Sequence, residues 1–166
     1  MSNAKAQTLS QRFGFQDTDL KTKEHDEIML WLDKSIDEVL PKLYPGLEPM
    51  DISKVWEMPA NKGNYLIGFV DMAVFYLYHL KTANERYPTV VCFEVKSKIE
   101  SLGELFRQLK MYDGLRLGNT TRFVGDICVV SPDRRFEKEI IAQGYKFFWC
   151  LQSMIESGDY GRLGRA

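Results

Sequence analysis

The stretch that decides the fold is VVCFEVKSKIESLGELFRQLKMYDG, residues 90–114. It opens inside an apolar strand, TVVCFEVKS over 89–97, and continues as an amphipathic helix from about Leu102 to Leu117. Glu94 and Lys96 stand two residues apart in a run that is otherwise suited to burial. Side chains alternate along a strand, so Cys92, Glu94 and Lys96 share one face and Val91, Phe93 and Val95 the other. Two residues of strand span about 6.5 Å, close enough for a carboxylate and an amine to serve one point above the sheet. Desolvating either charge is costly unless it meets a partner or a metal.

The preceding strand offers that partner. YLIGFVDMAVFYLYHL, 65–80, is aromatic and β-branched and carries Asp71 three residues after Gly68. Alternation puts Asp71 on the face of Phe69 and Ala73, and pairing in the right register makes Asp71 and Glu94 converge. Two carboxylates in apolar surroundings repel unless one is protonated or a cation lies between them. Hard divalent cations suit such oxygen ligands, Mg²⁺ above all. Lys96 beside them can neutralise charge on a phosphate or orient an attacking water. On the helix, Gln108 and Tyr112 are four apart and share a face, with Glu104 one turn before Gln108. Leu105, Leu109 and Tyr112 supply the packing, which sets Gln108 near the buried side. Glu57, on the short strand KVWEMPA at 54–60, is a candidate third carboxylate beside Asp71's strand.

Outward from this centre, residues 1–22 have little periodicity and read as a partly ordered arm. Residues 23–40 form an amphipathic helix, with Ile28, Leu32, Ile36 and Leu40 four apart. Pro41 stops it, and the proline-rich 41–53 reads as a loop. NKGN, 61–64, is a hairpin turn. FVGDICVVS, 123–131, is a further strand, followed by a short helix near 135–143, the strand YKFFWC at 145–150 and a helical turn in the tail. The order α-β-β-β-α-β, with a short helix and a last strand after it, predicts an α/β domain over 23–166 with a central mixed sheet flanked by helices.

Composition agrees with that class. The chain has 166 residues, 45% hydrophobic and 27% charged, enough for one domain with a core. Cys92, Cys128 and Cys150 lie in apolar strings without CxxC spacing, which reads as reduced thiols in a cytoplasmic protein. No 18-residue apolar span is present, so no membrane helix is expected, and the opening residues lack the apolar run of a signal peptide. The net charge of −1 does not by itself mark a nucleic-acid binder. It divides into −4 over residues 1–60 and +3 over 61–166, which leaves room for a basic patch on the second part.

Gly68 to Asp71 as G-x-x-D, Glu94 to Lys96 as E-V-K, and Gln108 to Tyr112 as Q-L-K-M-Y resemble the PD-(D/E)xK nuclease superfamily, and the Q-x-x-x-Y element its RecB-type branch. The resemblance spans about residues 23–131. It implies a restriction-endonuclease-like core and Mg²⁺- or Mn²⁺-dependent hydrolysis of DNA phosphodiester bonds. Asp71 and Glu94 would be metal ligands, with the Val95 backbone carbonyl joining them. Lys96 would be the catalytic lysine, and Gln108 and Tyr112 would buttress the site and meet the DNA backbone. The RecB-like branch tends to carry a histidine or glutamate in its first helix; Glu24, His25, Glu27 and Glu38 all stand as candidates. Asp71 lacks the proline of the family's name. Pro132-Asp133 carries that dipeptide, but after the later strand, where it reads as a turn.

Each of these residues also has a plainer reading. Asp71, Glu94 and Lys96 could form a structural ion pair, though buried pairs rarely stabilise more than apolar packing would. Tyr112 could be core, and His25 and His79 solvated. Lys98, Arg107 and Lys110, near the site in sequence, are candidate phosphate contacts, as is a second group of Arg134, Arg135 and Lys138; solvated lysines and arginines are the ordinary alternative. Phe147, Phe148 and Trp149 suit a core or a dimer surface. A nuclease of this size is expected to act as a homodimer or within a larger nuclease complex, away from membranes. Two other functions keep the same fold: a non-catalytic module binding nucleic acid or a protein partner, and an RNA-acting nuclease.

Overall fold

A computed structural model describes residues 22–80, 82 and 85–156. Its elements, in chain order, are α1 (Lys23–Leu43), β1 (Glu48–Lys62), β2 (Tyr65–Leu80), β3 (Glu85–Val95), α2 (Leu102–Met111), β4 (Arg116–Leu117), β5 (Asp126–Ser131), α3 (Glu137–Ala142), β6 (Lys146–Trp149) and α4 (Leu151–Glu156). The strands form one six-stranded mixed sheet in the order β4-β1-β2-β3-β5-β6. The pairs β4–β1, β1–β2 and β2–β3 are antiparallel, and the pairs β3–β5 and β5–β6 are parallel. The fold is therefore α/β with helices flanking a mixed sheet. The expected arm over 1–22 and the tail beyond 156 lie outside the described residues, apart from Thr22.

Two apolar cores sandwich the sheet. Ile28, Leu32 and Ile36 of α1 pack with Val91, Phe93 and Val95 of β3, Cys128 and Val130 of β5, and Met154 of α4. On the other side Leu105 and Leu109 of α2 and Ile140 of α3 pack with Ala73, Cys92, Ile127 and Val129. The alternation read from 90–95 is thus the real one along β3. Thr22 starts α1 by accepting the His25 N–H on its hydroxyl at 3.2 Å, which satisfies one of the donors a helix start leaves open.

Several element boundaries differ from the sequence reading. Pro41 sits in the last turn of α1, which runs on to Leu43. β1 spans 15 residues, not seven, and contains Pro49 and Pro59. Its outer side pairs with β4 only at Ala60 and Asn61, and an edge strand tolerates proline because no partner needs its N–H. β3 starts at Glu85 rather than Thr89, and α2 ends at Met111, after which Gly114 takes φ +70° and turns the chain.

The three cysteines are free and buried, and burial pushes the thiols of Cys92 and Cys150 up to about 12. Phe147 and Phe148 are buried in opposite cores, so of the two readings of that strand, core or dimer surface, these two side chains follow the core one. Among the described residues, no helix is long and apolar enough to cross a membrane.

Candidate active site

The β2–β3 ladder ends at the pair Met72 and Phe93. One further step in that register sets Asp71 opposite Glu94. There the strands part, because β3 continues beside β5 as far as Val95. Asp71 fills the fork, and its Oδ2 accepts the Val95 N–H at 2.8 Å. The side chain thus takes the place of a ladder partner.

The other side of β2 is irregular at the same row. Trp56 pairs with Met72 and Met58 with Val70, leaving Glu57 across from Asp71. Glu57 has φ +49°, a left-handed conformation unusual for a glutamate. Val70 and Met58 belong to the α2-side core, whereas Met72 belongs to the α1-side core. Alternation therefore slips by one at this row. The expectation that Asp71 shares a face with Ala73 fails for that reason. Asp71 reaches instead towards α1, where His25 Nε2 lies 3.3 Å from its Oδ2.

Glu94 keeps its expected face and meets α2. Gln108 Nε2 donates a short hydrogen bond to Glu94 Oε1, and Lys96 Nζ lies 3.5 Å from the same oxygen. The residues His25, Asp71, Glu94 and Lys96 are 7%, 6%, 4% and 7% exposed. Four ionisable groups held out of water around the end of the β2–β3 ladder are an expensive arrangement.

Tyr112 closes the site from behind. Its hydroxyl donates to the Phe69 carbonyl at 2.8 Å, and its ring lies 3.3 Å from where a Cβ on Gly68 would stand. Gly68 on β2 and Tyr112, the residue that caps the C-terminus of α2, are therefore one packing unit. Tyr112 is buried, so the DNA contact expected of it gives way to a role in holding β2. Gly68→Ala is expected to destabilise the fold by about 1–3 kcal/mol, because the pinned ring cannot move aside freely. Urea unfolding measures this, and an unchanged midpoint would contradict it.

The remaining candidates separate clearly. Of the first-helix residues, His25 is brought to Asp71, whereas Glu24 and Glu38 are exposed and Glu27 pairs with Lys23 at 3.9 Å. Glu57 is half-buried in Asp71's row. Lys98 is exposed on the segment after β3, and Arg107 is exposed and 3.7 Å from Glu104. At about 100° per residue, Lys110 points roughly 160° round α2 from Gln108, away from the site, and Arg107 about 100°. His79 lies far along β2, in register with Arg86. Asp133, read as a turn residue, accepts the Ile99 N–H at 3.0 Å; nothing in local sequence signals so distant a partner.

Among the described residues, no three His, Cys, Asp or Glu side chains gather as a metal cage. Mg²⁺ seldom uses one. It takes one or two carboxylates and fills its shell with waters and phosphate oxygens. Asp71 and Glu94, one register step beyond the Met72–Phe93 pair on adjacent strands, offer two carboxylates, the donor chemistry that Mg²⁺ or Mn²⁺ takes, and His25 lies 3.3 Å from Asp71. No family model, curated protein or solved structure matches the chain.

Proposed function

We propose that this chain is a Mg²⁺- or Mn²⁺-dependent nuclease that hydrolyses DNA phosphodiester bonds on a restriction-endonuclease-like core of the PD-(D/E)xK type. The observation that carries the reading is the fork. Asp71 is one register step from facing Glu94, Lys96 is 3.5 Å from Glu94, and all three are buried. Stability alone gives little reason for such a cluster, since apolar residues of like volume usually serve as well or better.

A divalent cation held by Asp71 and Glu94, with the Val95 carbonyl as a further donor, would supply Lewis acidity and a bound water of lowered pKa. The chain's own residues do the rest. His25 and the Val95 N–H orient the Asp71 carboxylate. Gln108 orients Glu94. Lys96 places an ammonium where charge builds on the phosphate in the transition state, the point at which electrostatic stabilisation counts most. Lys98 and Arg107 are the phosphate contacts retained from the sequence reading, and Lys110 is dropped because it faces away.

Binding to a short duplex is expected to weaken with salt at a log–log slope near −2, about 0.9 for each of two contacts. Lys98→Ala should remove about one unit of that slope and Lys110→Ala almost none. Fluorescence anisotropy across a salt series checks this, and equal effects of the two variants would contradict it.

A second reading has an observation of its own. The Lys96 contact to Glu94 and the His25 contact to Asp71 give both buried carboxylates a partner without any cation, as a non-catalytic module binding nucleic acid or protein would require. A crystal soaked in Mn²⁺ separates the two. An anomalous peak roughly 2.1 Å from oxygens of both Asp71 and Glu94 supports the nuclease, whereas an empty fork with Lys96 still on Glu94 supports the module.

A further inference from the structure

We propose that Asp133 and Arg135 are positioning residues for Lys96, acting through a clamp on the backbone of Ile99. This rests on the nuclease reading above. Lys96 is the first residue beyond β3, and its N–H makes a last hydrogen bond to the Val130 carbonyl at 3.0 Å. From there to Ser101 the chain has no helix or strand to hold it. Three residues after Lys96, both backbone groups of Ile99 are taken. Asp133 Oδ2 accepts its N–H at 3.0 Å, and Arg135 Nη2 donates to its carbonyl at 3.1 Å. The two side chains also grip each other. Arg135 Nε lies 2.9 Å from Asp133 Oδ1, and Arg135 Nη2 lies 2.8 Å from Asp133 Oδ2.

The clamp stands on a braced loop. The Asp133 N–H donates to the Ser131 hydroxyl at 3.0 Å, and Ser131 is fully buried. Trp149 on β6 donates its indole N–H to the Pro132 carbonyl at 3.0 Å, and the Arg134 guanidinium lies 4.4 Å over the Trp149 ring. Ile99 itself is buried in the α2-side core. Lys96 is thus fixed at its own amide and again three residues on, a span of no more than about 11 Å. Only Ser97 and Lys98 lie between. A misplacement of about 1 Å can cost a factor on the order of 100 in rate, so an unanchored segment here would scatter the ammonium.

The hydrogen bonds from Arg135 hold the Asp133 carboxyl well below the usual carboxylate range. The sign follows from that direction. A lowered folded value means the contribution is present above the unfolded value of about 3.9 and is lost only as pH falls through the folded one. The clamp therefore stays ionised at all working pH values, and its effect on rate is flat from about pH 5 to about pH 9.

The test compares the full chain with Asp133→Ala and Asp133→Asn, by steady-state Mg²⁺-dependent cleavage of a linear duplex and by hydrogen exchange at the Ile99 amide. Asp133→Ala should speed that exchange at least about tenfold and lower kcat by about ten- to a hundredfold, with KM within about threefold. The deficit should not vary with pH. Asp133→Asn keeps an oxygen for the Ile99 N–H and should recover most of both. Faster exchange with unchanged kcat overturns the proposal, as does a loss carried in KM. If Asp133→Ala fails to fold, Asp133→Asn and Arg135→Gln are read against the same limits, and normal kcat in Arg135→Gln with a released Ile99 overturns it. If the parent cleaves nothing, the nuclease reading fails separately. The clamp is then judged on the Lys96 ammonium resonance, which must shift in Asp133→Ala; an unmoved resonance overturns it.

Discussion

Lys96→Met is expected to lower kcat for DNA cleavage by about 10²–10³, the usual cost of removing one group that stabilises a transition state. Methionine keeps the length and the apolar stem, so the buried space beside Glu94 stays filled. Glu94 keeps its hydrogen bond from Gln108. Cation affinity should not fall, since an ammonium is no ligand for Mg²⁺, and losing a positive neighbour leaves Glu94 more attractive to one. Single-turnover cleavage in saturating Mg²⁺ gives the rate, and calorimetric titration with Mn²⁺ gives the affinity. Parent-like turnover in the variant would remove Lys96 from the chemistry.

Asp71→Asn should have the larger effect, a fall in turnover of about 10³ or more together with a loss of Mn²⁺ affinity of at least about tenfold. The change is selective for charge. An asparagine oxygen can still accept the Val95 N–H that Asp71 Oδ2 takes at 2.8 Å. The fork therefore keeps its shape while one of its two carboxylates is gone, and a cation that relies on one or two carboxylates is left with half its anionic support. His25 stands 3.3 Å from the same oxygen and can hydrogen-bond the amide, so the melting temperature should move little. Loss of activity with intact Mn²⁺ binding would place the cation elsewhere.

How far the sequence could be read varied with how regular each element is. β3 obeys period 2 through Val95, so Glu94 and Lys96 could be put on one face, opposite Phe93 and Val95, from spacing alone. Gln108 followed from the stripe of Leu105, Leu109 and Tyr112 in the same way. Asp71 did not, because β1 and β2 slip together at one row. The slip is marked by a glutamate at φ +49°, and no residue preference announces it. The first part of β1 reads as loop because Pro49 follows Pro41, Pro45 and Gly46, and only the knowledge that the strand lies largely at an edge makes that proline tolerable within it. His25 could not be separated from three other residues of its helix by periodicity, since the choice depends on where the β2–β3 fork lies in space. The Asp133–Ile99 contact joins residues 34 apart and belongs to the same class of facts.

The row of Asp71 and Glu94 also shows where foldability has yielded to something else. Locally consistent sequences put apolar residues at buried strand positions and keep β-strands regular. Here two buried acids, a buried lysine, a buried histidine and a left-handed glutamate fall on or beside one row of the sheet. The two apolar cores on either side carry the stability that such a row does not, and departures of this kind are where a functional site is expected.

The most direct measurement of the central claim is cleavage by the purified full chain of a panel of linear, circular, flapped and branched DNA, in Mg²⁺, in Mn²⁺ and in EDTA, beside Asp71→Asn. The account predicts cutting of at least one substrate that requires the cation, stops in EDTA and is lost in Asp71→Asn. Failure to cut any substrate with either cation, or cutting that Asp71→Asn retains, would contradict it.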